Sequence, residues 1–166
     1  MKVAIYPGSF DPITSGHLNI IKRAAEIFDK VIVCVMVNSG KNPLFSREER
    51  VALIRQCVSD LPNVEVDSSD ELLASYAQRK GIRVIIKGLR AGSDFENEFQ
   101  MALINHKINP HLDTMFLTAE HQYMYLSSST VKELGKYDVD LADFLPEPII
   151  PVFKQRIADI RQEGEK

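Results

Sequence analysis

Ala4-Ile5-Tyr6-Pro7-Gly8-Ser9-Phe10-Asp11-Pro12-Ile13-Thr14-Ser15-Gly16-His17 is the stretch whose reading decides the fold. Val3 to Tyr6 is a short apolar run of the kind that forms a buried strand. Pro7-Gly8 is expected to stop it, and Pro12 to keep the following residues out of a helix. From Leu18 onward the period changes, and Leu18, Ile20, Ile21, Ala24, Ala25, Ile27 and Phe28 fall on one broad helical face. A strand therefore ends in a glycine-containing loop, and a helix starts near Gly16-His17. The first-turn N–H groups of a helix have no internal partners and carry the positive end of the dipole, so this junction reads as a phosphate site. Gly16 allows close approach of a ligand to the backbone, and His17 puts an imidazole beside it.

The same alternation continues outward. Val31 to Val37 is seven apolar residues without a polar break, which suits a strand covered on both faces. A loop containing Gly40-Lys41-Asn42-Pro43 leads to Ser46-Arg47-Glu48-Glu49, a capping box that opens a helix with Val51, Leu53, Ile54, Cys57 and Val58 facing inward. Val64 to Val66 reads as a short strand. Asp70-Glu71 opens a helix with Leu72, Leu73, Tyr76 and Ala77, closed by Gly81. Val84-Ile85-Ile86 is the next buried strand, followed by Lys87-Gly88-Leu89-Arg90 as a loop. A longer helix starts near Asp94 and fades near Asn109-Pro110, and Thr114 to Leu117 is a fifth strand. Ser127 to Thr130 offers several N-caps to a helix bearing Val131 and Leu134. Asp140 to Leu145 suits one helical turn. Pro148 suits the first turn of a last helix with Ile149, Val152, Phe153, Ile157 and Ile160.

Strand and helix in alternation predict an α/β fold, a five-stranded parallel sheet with right-handed crossovers and helices on both faces. Length, at 166 residues, predicts a single domain over 1–166, with a C-terminal helical segment from about 140. A net charge of −3 argues against general nucleic-acid or membrane-surface binding, and no apolar run reaches the roughly 20 residues of a membrane span. The N-terminus enters a strand after Lys2 without signal-peptide anatomy, so a cytoplasmic location is expected. Cys34 and Cys57 sit in apolar patterns and read as reduced core thiols.

Ligands in such sheets collect at the carboxyl ends of the strands. That rim should gather Ser9 to His17, Lys41, Lys87 to Arg90, and Tyr123 to Ser129. A lone histidine is usually structural, but His17 follows a glycine at a helix start beneath a strand end. Lys87 and Arg90 flank a glycine just past a strand and together suit several phosphate charges. Lys41 alone would be a solvated lysine, and it gains weight from lying at the same end of the sheet. The Ser127–Thr130 cluster reads equally as a helix cap or as a phosphate holder. Glu96 and Glu98 lie two apart on a helix and point in different directions, which argues against paired acid–base work. His106, His111 and His121 have no metal-ligand spacing, and both the P-loop pattern and the dinucleotide fingerprint are absent.

At this point the chain resembles the bacterial pantetheine-phosphate adenylyltransferase family of the nucleotidyltransferase superfamily, from Val3 to about Leu145. The resemblance is carried by Tyr6-Pro7-Gly8-Ser9-Phe10-Asp11-Pro12-Ile13-Thr14-Ser15-Gly16-His17, Phe45 with Glu48-Glu49-Arg50, Lys87-Gly88-Leu89-Arg90, Asp94-Phe95-Glu96 with Glu98, and Ser127-Ser128-Ser129. It implies a Rossmann-like nucleotide-binding fold and transfer of the adenylyl group of ATP to 4′-phosphopantetheine, giving dephospho-coenzyme A and pyrophosphate. By matching position, Ser9 would contact both substrates, and Lys41, Leu73 and Lys87 would hold phosphopantetheine. Phe10, His17, Gly88, Leu89, Arg90, Glu98, Tyr123, Met124, Tyr125, Leu126, Ser127, Ser128 and Ser129 would line the ATP site. His17, Lys41, Arg90 and Ser9 would carry the catalysis. The family implies magnesium as cofactor, assembly as homohexamers and inhibition by coenzyme A. Lys87 stands where many relatives have arginine, Ser9 where threonine is frequent, and Tyr123 where some have tryptophan. Rival readings are another nucleotidyltransferase acting on a different phosphate, such as nicotinamide mononucleotide or glycerol 3-phosphate, and a catalytically silent nucleotide-binding module on the same fold.

Overall fold

The computed structural model describes residues 1–37, 42–90 and 92–164. The chain runs β1 (Val3–Gly8), α1 (Ser15–Ile27), β2 (Lys30–Met36), α2 (Arg47–Cys57), β3 (Val64–Ser69), α3 (Leu73–Lys80), β4 (Val84–Leu89), α4 (Gly92–Ile108), β5 (Asp113–Thr118), α5 (Ser128–Leu134) and α6 (Ile150–Gly164). Short 3₁₀ turns at His121–Tyr123 and Glu147–Ile149 precede the last two helices. The five strands form one sheet in the order β3-β2-β1-β4-β5, and each neighbouring pair is parallel. The expected α/β architecture is therefore present.

Its core is divided by the sheet. On one face Ala4, Tyr6, Val31, Val33 and Val35 pack with Ile21 and Ala24 of α1, Ile54 of α2, Val131 of α5 and Phe153 of α6. On the other, Ile5, Ile32, Cys34 and Ile85 meet Ala74, Tyr76 and Ala77 of α3. Alternate residues of β1 and β2 thus feed opposite layers, which is why their sequences are apolar without interruption. Cys34 and Cys57 are both free and buried, as expected.

Several boundaries differ from the sequence reading, each for an identifiable reason. β1 continues through Pro7 to Gly8, because Pro7 and Gly8 still lie opposite Cys34 and Val35 of β2. β4 runs to Leu89, so Lys87, Gly88 and Leu89 are strand residues and not loop; β5 holds them through the register Lys87–Phe116, Gly88–Leu117 and Leu89–Thr118. β3 likewise runs to Ser69 alongside Met36. α3 starts at Leu73, after an N-cap Leu72 that supplies no side-chain bond. Ile27, Val152 and Ile160 are exposed, at the outer edges of faces whose buried seams run through Ile21 and Phe153. Pro148 sits in the 3₁₀ turn ahead of α6. Gly81 does close α3, with the positive φ of 68° that favours glycine. Residues 142–144 form the single turn expected near 140, closed by bonds from Phe144 and Leu145 N–H to Leu141 O.

Candidate functional site

A cleft of about 480 Å³ opens at the carboxyl ends of β1, β2 and β4. Ser9, Phe10, His17, Lys87, Gly88, Arg90, Glu98, Tyr123, Leu126, Ser127, Ser128 and Ser129 all line it. The convergence on one rim expected from strand order is thus present for these residues. Leu89, Met124 and Tyr125 are not among the lining residues. Nor is Leu73, which packs at the start of α3 against the cluster around Ile5 and Ile32. Lys41 lies outside the described residues.

The floor of the cleft is aromatic. Phe10 has φ of 48°, an uncommon conformation for a non-glycine residue, and the residue is 2% exposed. That turn drives the ring under the histidine: Phe10 meets Tyr6 edge-on at 5.4 Å and His17 edge-on at 5.1 Å. Gly8 makes room for it, since a Cβ there would lie 3.0 Å from two Phe10 ring carbons. Gly88 has a comparable role, because a Cβ there would come within 3.1 Å of Ile20 Cγ1 on α1.

His17 is fixed by its own helix start. α1 begins one residue before Gly16, with Thr14 as N-cap. The His17 N–H donates to Thr14 Oγ1 at 3.3 Å, and the Thr14 N–H donates to His17 Nδ1 at 3.1 Å. This is a capping box in which histidine takes the place usually held by glutamate or glutamine. Because Nδ1 accepts a backbone N–H, the neutral ring carries its proton on Nε2. Burial, reinforced by the Arg90 and Lys87 charges, pushes the His17 pKa down to about 4. At neutral pH the residue is a neutral N–H donor held in one tautomer. The helix start offers an anion less than its sequence implied: the Ser15 N–H already donates to Phe144 O at 3.0 Å, and that of His17 to Thr14. The imidazole and the cations are what it presents.

Those cations are paired. Arg90 Nε donates to Asp94 Oδ2 at 2.8 Å and Nη2 to Asp94 Oδ1 at 3.3 Å, while Nη1 donates to Leu126 O at 2.9 Å. Lys87 Nζ lies 3.3 Å from Glu98 Oε2. Asp94 and Glu98 are one turn apart on α4, so one helix face aims both cations into the cleft. Glu96 points outward and is exposed, as its spacing from Glu98 predicts. In the serine cluster, Ser127 is the N-cap, accepting from Thr130 N–H at 3.1 Å, and Ser128 Oγ donates to Pro12 O at 2.8 Å. The cap reading of this cluster is met, and Ser129 remains exposed in the cleft.

Among the lining residues, Asp11, Thr14, Arg50 and Lys132 have roles that the sequence reading did not assign. Asp11 is buried: Oδ2 accepts the Leu44 N–H at 2.8 Å and Lys132 Nζ at 3.0 Å, and Oδ1 accepts the Phe45 N–H at 2.9 Å. Lys132 of α5 thereby adds a third cation to the rim. Arg50, also buried, donates from Nη1 to Ser9 O at 2.9 Å and fixes the loop that carries the Ser9 hydroxyl. Thr14 had a legible signal, a threonine just before a helix, whereas the partners of Asp11, Arg50 and Lys132 are remote in sequence.

Comparisons with known proteins bear on the family and the fold. The cytidylyltransferase-like family model matches residues 5–134. Phosphopantetheine adenylyltransferase of Alkaliphilus metalliredigens is 56% identical over 156 residues, covering 94% of this chain and 99% of that protein. The enzyme of the same name from Desulforudis audaxviator is 49% identical over 164 residues, covering 99% of this chain and all of that protein. Among solved structures, the nicotinic acid mononucleotide adenylyltransferase of Plasmodium falciparum superposes with a TM-score of 0.63 at 15% identity, over 96% of this chain and 95% of that one. At that identity the likeness speaks for the fold alone.

Proposed function

Because the chain belongs to the phosphopantetheine adenylyltransferase family, we propose how its cleft carries the adenylyl group of ATP to 4′-phosphopantetheine, giving dephospho-coenzyme A and pyrophosphate. The observation that carries this reading is a polyanion site with no acid–base pair among the described residues. His17 is neutral and tautomer-locked, Lys87, Arg90 and Lys132 supply charge, and the carboxylates Asp11, Asp94 and Glu98 each face a cation. A phosphate monoester has its second pKa near 6, so the nucleophile is already largely dianionic at pH 7 and needs no base. The task is to bring it in line with the α-phosphorus and neutralise the charge that accumulates.

His17 donates its Nε2–H to a non-bridging oxygen of the α-phosphate as that phosphorus becomes five-coordinate. Ser9, held by Arg50, orients the attacking phosphate together with Lys41, and Lys87 binds the acceptor. Arg90 and the Ser127–Ser129 segment stabilise the departing pyrophosphate. ATP lies along Gly88, Glu98, Tyr123 and Leu126, with Phe10 beside it. Lys87 and Arg90 must exchange their carboxylate partners for phosphate oxygens, so Asp94 and Glu98 hold the two cations in place between turnovers. Magnesium would travel with ATP, held by phosphate oxygens and water. Among the described residues no group of three or more His, Cys, Asp or Glu could hold a metal ion.

We read residues 1–166 as one domain, because Phe153 of α6 packs into the same core as Ala4 and Ile21. A homo-oligomer, hexameric as in the family, is supported by the outer surface of α4 and β5, where Phe95, Phe99, Leu103, Ile108 and Met115 are all exposed. A cytoplasmic location follows from the reading as an ATP-dependent biosynthetic enzyme; no described helix is long and apolar enough to cross a membrane.

Pyrophosphate release from magnesium-ATP tests the function directly, with phosphopantetheine, pantetheine lacking the phosphate, and nicotinamide mononucleotide compared as acceptors. Release with phosphopantetheine alone is expected. Release only with another acceptor overturns the substrate, and no release despite ATP binding points to a silent module.

A further inference from the structure

The motif Phe45 with Glu48-Glu49-Arg50 is only partly absorbed by the mechanism, through Arg50. Its remaining contacts run to the C-terminal helix. Arg156 of α6 donates from Nη1 to Leu44 O at 2.8 Å and to Glu49 Oε2 at 3.3 Å, and from Nη2 to Glu49 Oε1. The same guanidinium lies over the Phe45 ring, 4.9 Å from its centroid, and that ring is 1% exposed. Glu49 in turn accepts the Ser46 N–H at 2.7 Å as part of the capping box of α2. Asp11 takes the amides of Leu44 and Phe45 from the other side. The N–H and the C=O of Leu44 are thus gripped by opposite charges, from the β1–α1 loop and from α6. Asn42 and Pro43, the residues immediately before this grip, line the cleft.

We infer that Arg156 is a positioning residue for the acceptor: by clamping Leu44 to Glu49 it sets how the Asn42–Pro43 wall stands against the cleft, and so how tightly phosphopantetheine is held. The inference rests on the proposed function, which places the acceptor on the side that follows β2. A wall ordered before binding spares the acceptor the cost of ordering it. The clamp touches neither Arg90, nor His17, nor the serine segment, so ATP binding and the chemical step should be left alone. Lysine at this position could reach Leu44 O or Glu49 but cannot bridge both, and it loses the flat face over Phe45.

The test is steady-state kinetics with each substrate varied in turn, supported by thermal unfolding, on the wild type, Arg156→Ala, Arg156→Lys and Glu49→Gln. KM for phosphopantetheine should rise about ten-fold in Arg156→Ala, with KM for ATP and kcat within about two-fold. Arg156→Lys should fall in between, and Glu49→Gln should shift the same constant by a smaller factor. A merely structural residue would lower the melting temperature and the yield of active enzyme without separating the two KM values. Equal rises in both KM values, or an unchanged phosphopantetheine KM, would overturn the inference. Should Arg156→Ala fail to fold, the same split in Arg156→Lys and Glu49→Gln decides it. Wild-type enzyme inert toward phosphopantetheine would overturn the proposed function instead, before any variant is compared.

Discussion

Replacing His17 with alanine removes one neutral N–H donor from the point where charge accumulates on the α-phosphate. With its pKa near 4, only about one imidazole in a thousand is protonated at pH 7 in the free enzyme. The lost interaction is therefore that of a preorganised neutral donor, as in an oxyanion hole, worth about 10²–10³ in rate. The side chain also closes the Thr14 capping box, so alanine should cost about 1 kcal/mol of stability besides. These effects separate in the assay. Single-turnover quench with saturating substrates should show the rate falling by that factor, calorimetry should give an ATP Kd within about three-fold of wild type, and denaturant unfolding should register the lost box. His17→Gln, which keeps a neutral donor near the ε position, should recover part of the rate. The acid limb of kcat/KM should stay near pH 6 in both variants, since the acceptor's own phosphate sets it. A full single-turnover rate in His17→Ala would refute the reasoning, and so would an acid limb that disappears with the histidine.

Three further outcomes follow from the same geometry. The depressed pKa of His17 means the unfolded chain binds the extra proton first, so its contribution to stability is complete above about pH 6.5 and is lost as pH falls toward 4; the wild type should lose melting temperature across that window faster than His17→Gln, and parallel curves would contradict it. Asp11→Asn turns an amide toward one of the two N–H donors and removes the partner of Lys132, which should cost about 2–3 kcal/mol in urea unfolding. Lys87→Ala frees Glu98 and removes an acceptor cation, so KM for phosphopantetheine should rise about ten-fold with a smaller change for ATP, while Lys87→Arg should keep affinity.

The fold was legible because burial on both sides of a parallel sheet leaves unbroken apolar runs such as Val31–Val35, and because the Gly16-His17 junction marks a strand end feeding a helix. The carboxyl ends of strands were not: Lys87-Gly88-Leu89 has the composition of a loop, and only the register with β5 makes it a strand. The same holds for Pro7. In the site, His17 and the cations could be named from local pattern, but their pairing with Asp94 and Glu98 depends on how α4 lies against β4. Asp11, Arg50 and Arg156 act on residues 33, 41 and 112 positions away, respectively. Such contacts leave no periodicity to read. The exposed apolar residues of α4 show the converse, since apolar spacing alone does not say whether a face meets its own core or an outside surface.

β1 occupies the middle of the sheet, with β2 and β4 on its flanks and β3 and β5 at the edges. Amides in such a strand are covered on both flanks and exchange with solvent mainly through large openings of the sheet, whereas edge strands lose protection in smaller fluctuations. In deuterium-uptake experiments the platform beneath His17 should therefore be among the slowest parts of the molecule to exchange, and β3 and β5 among the fastest strands. On mild warming, the catalytic floor would outlast the edges of the sheet, and partial loss of protection at β3 or β5 would not by itself displace the histidine.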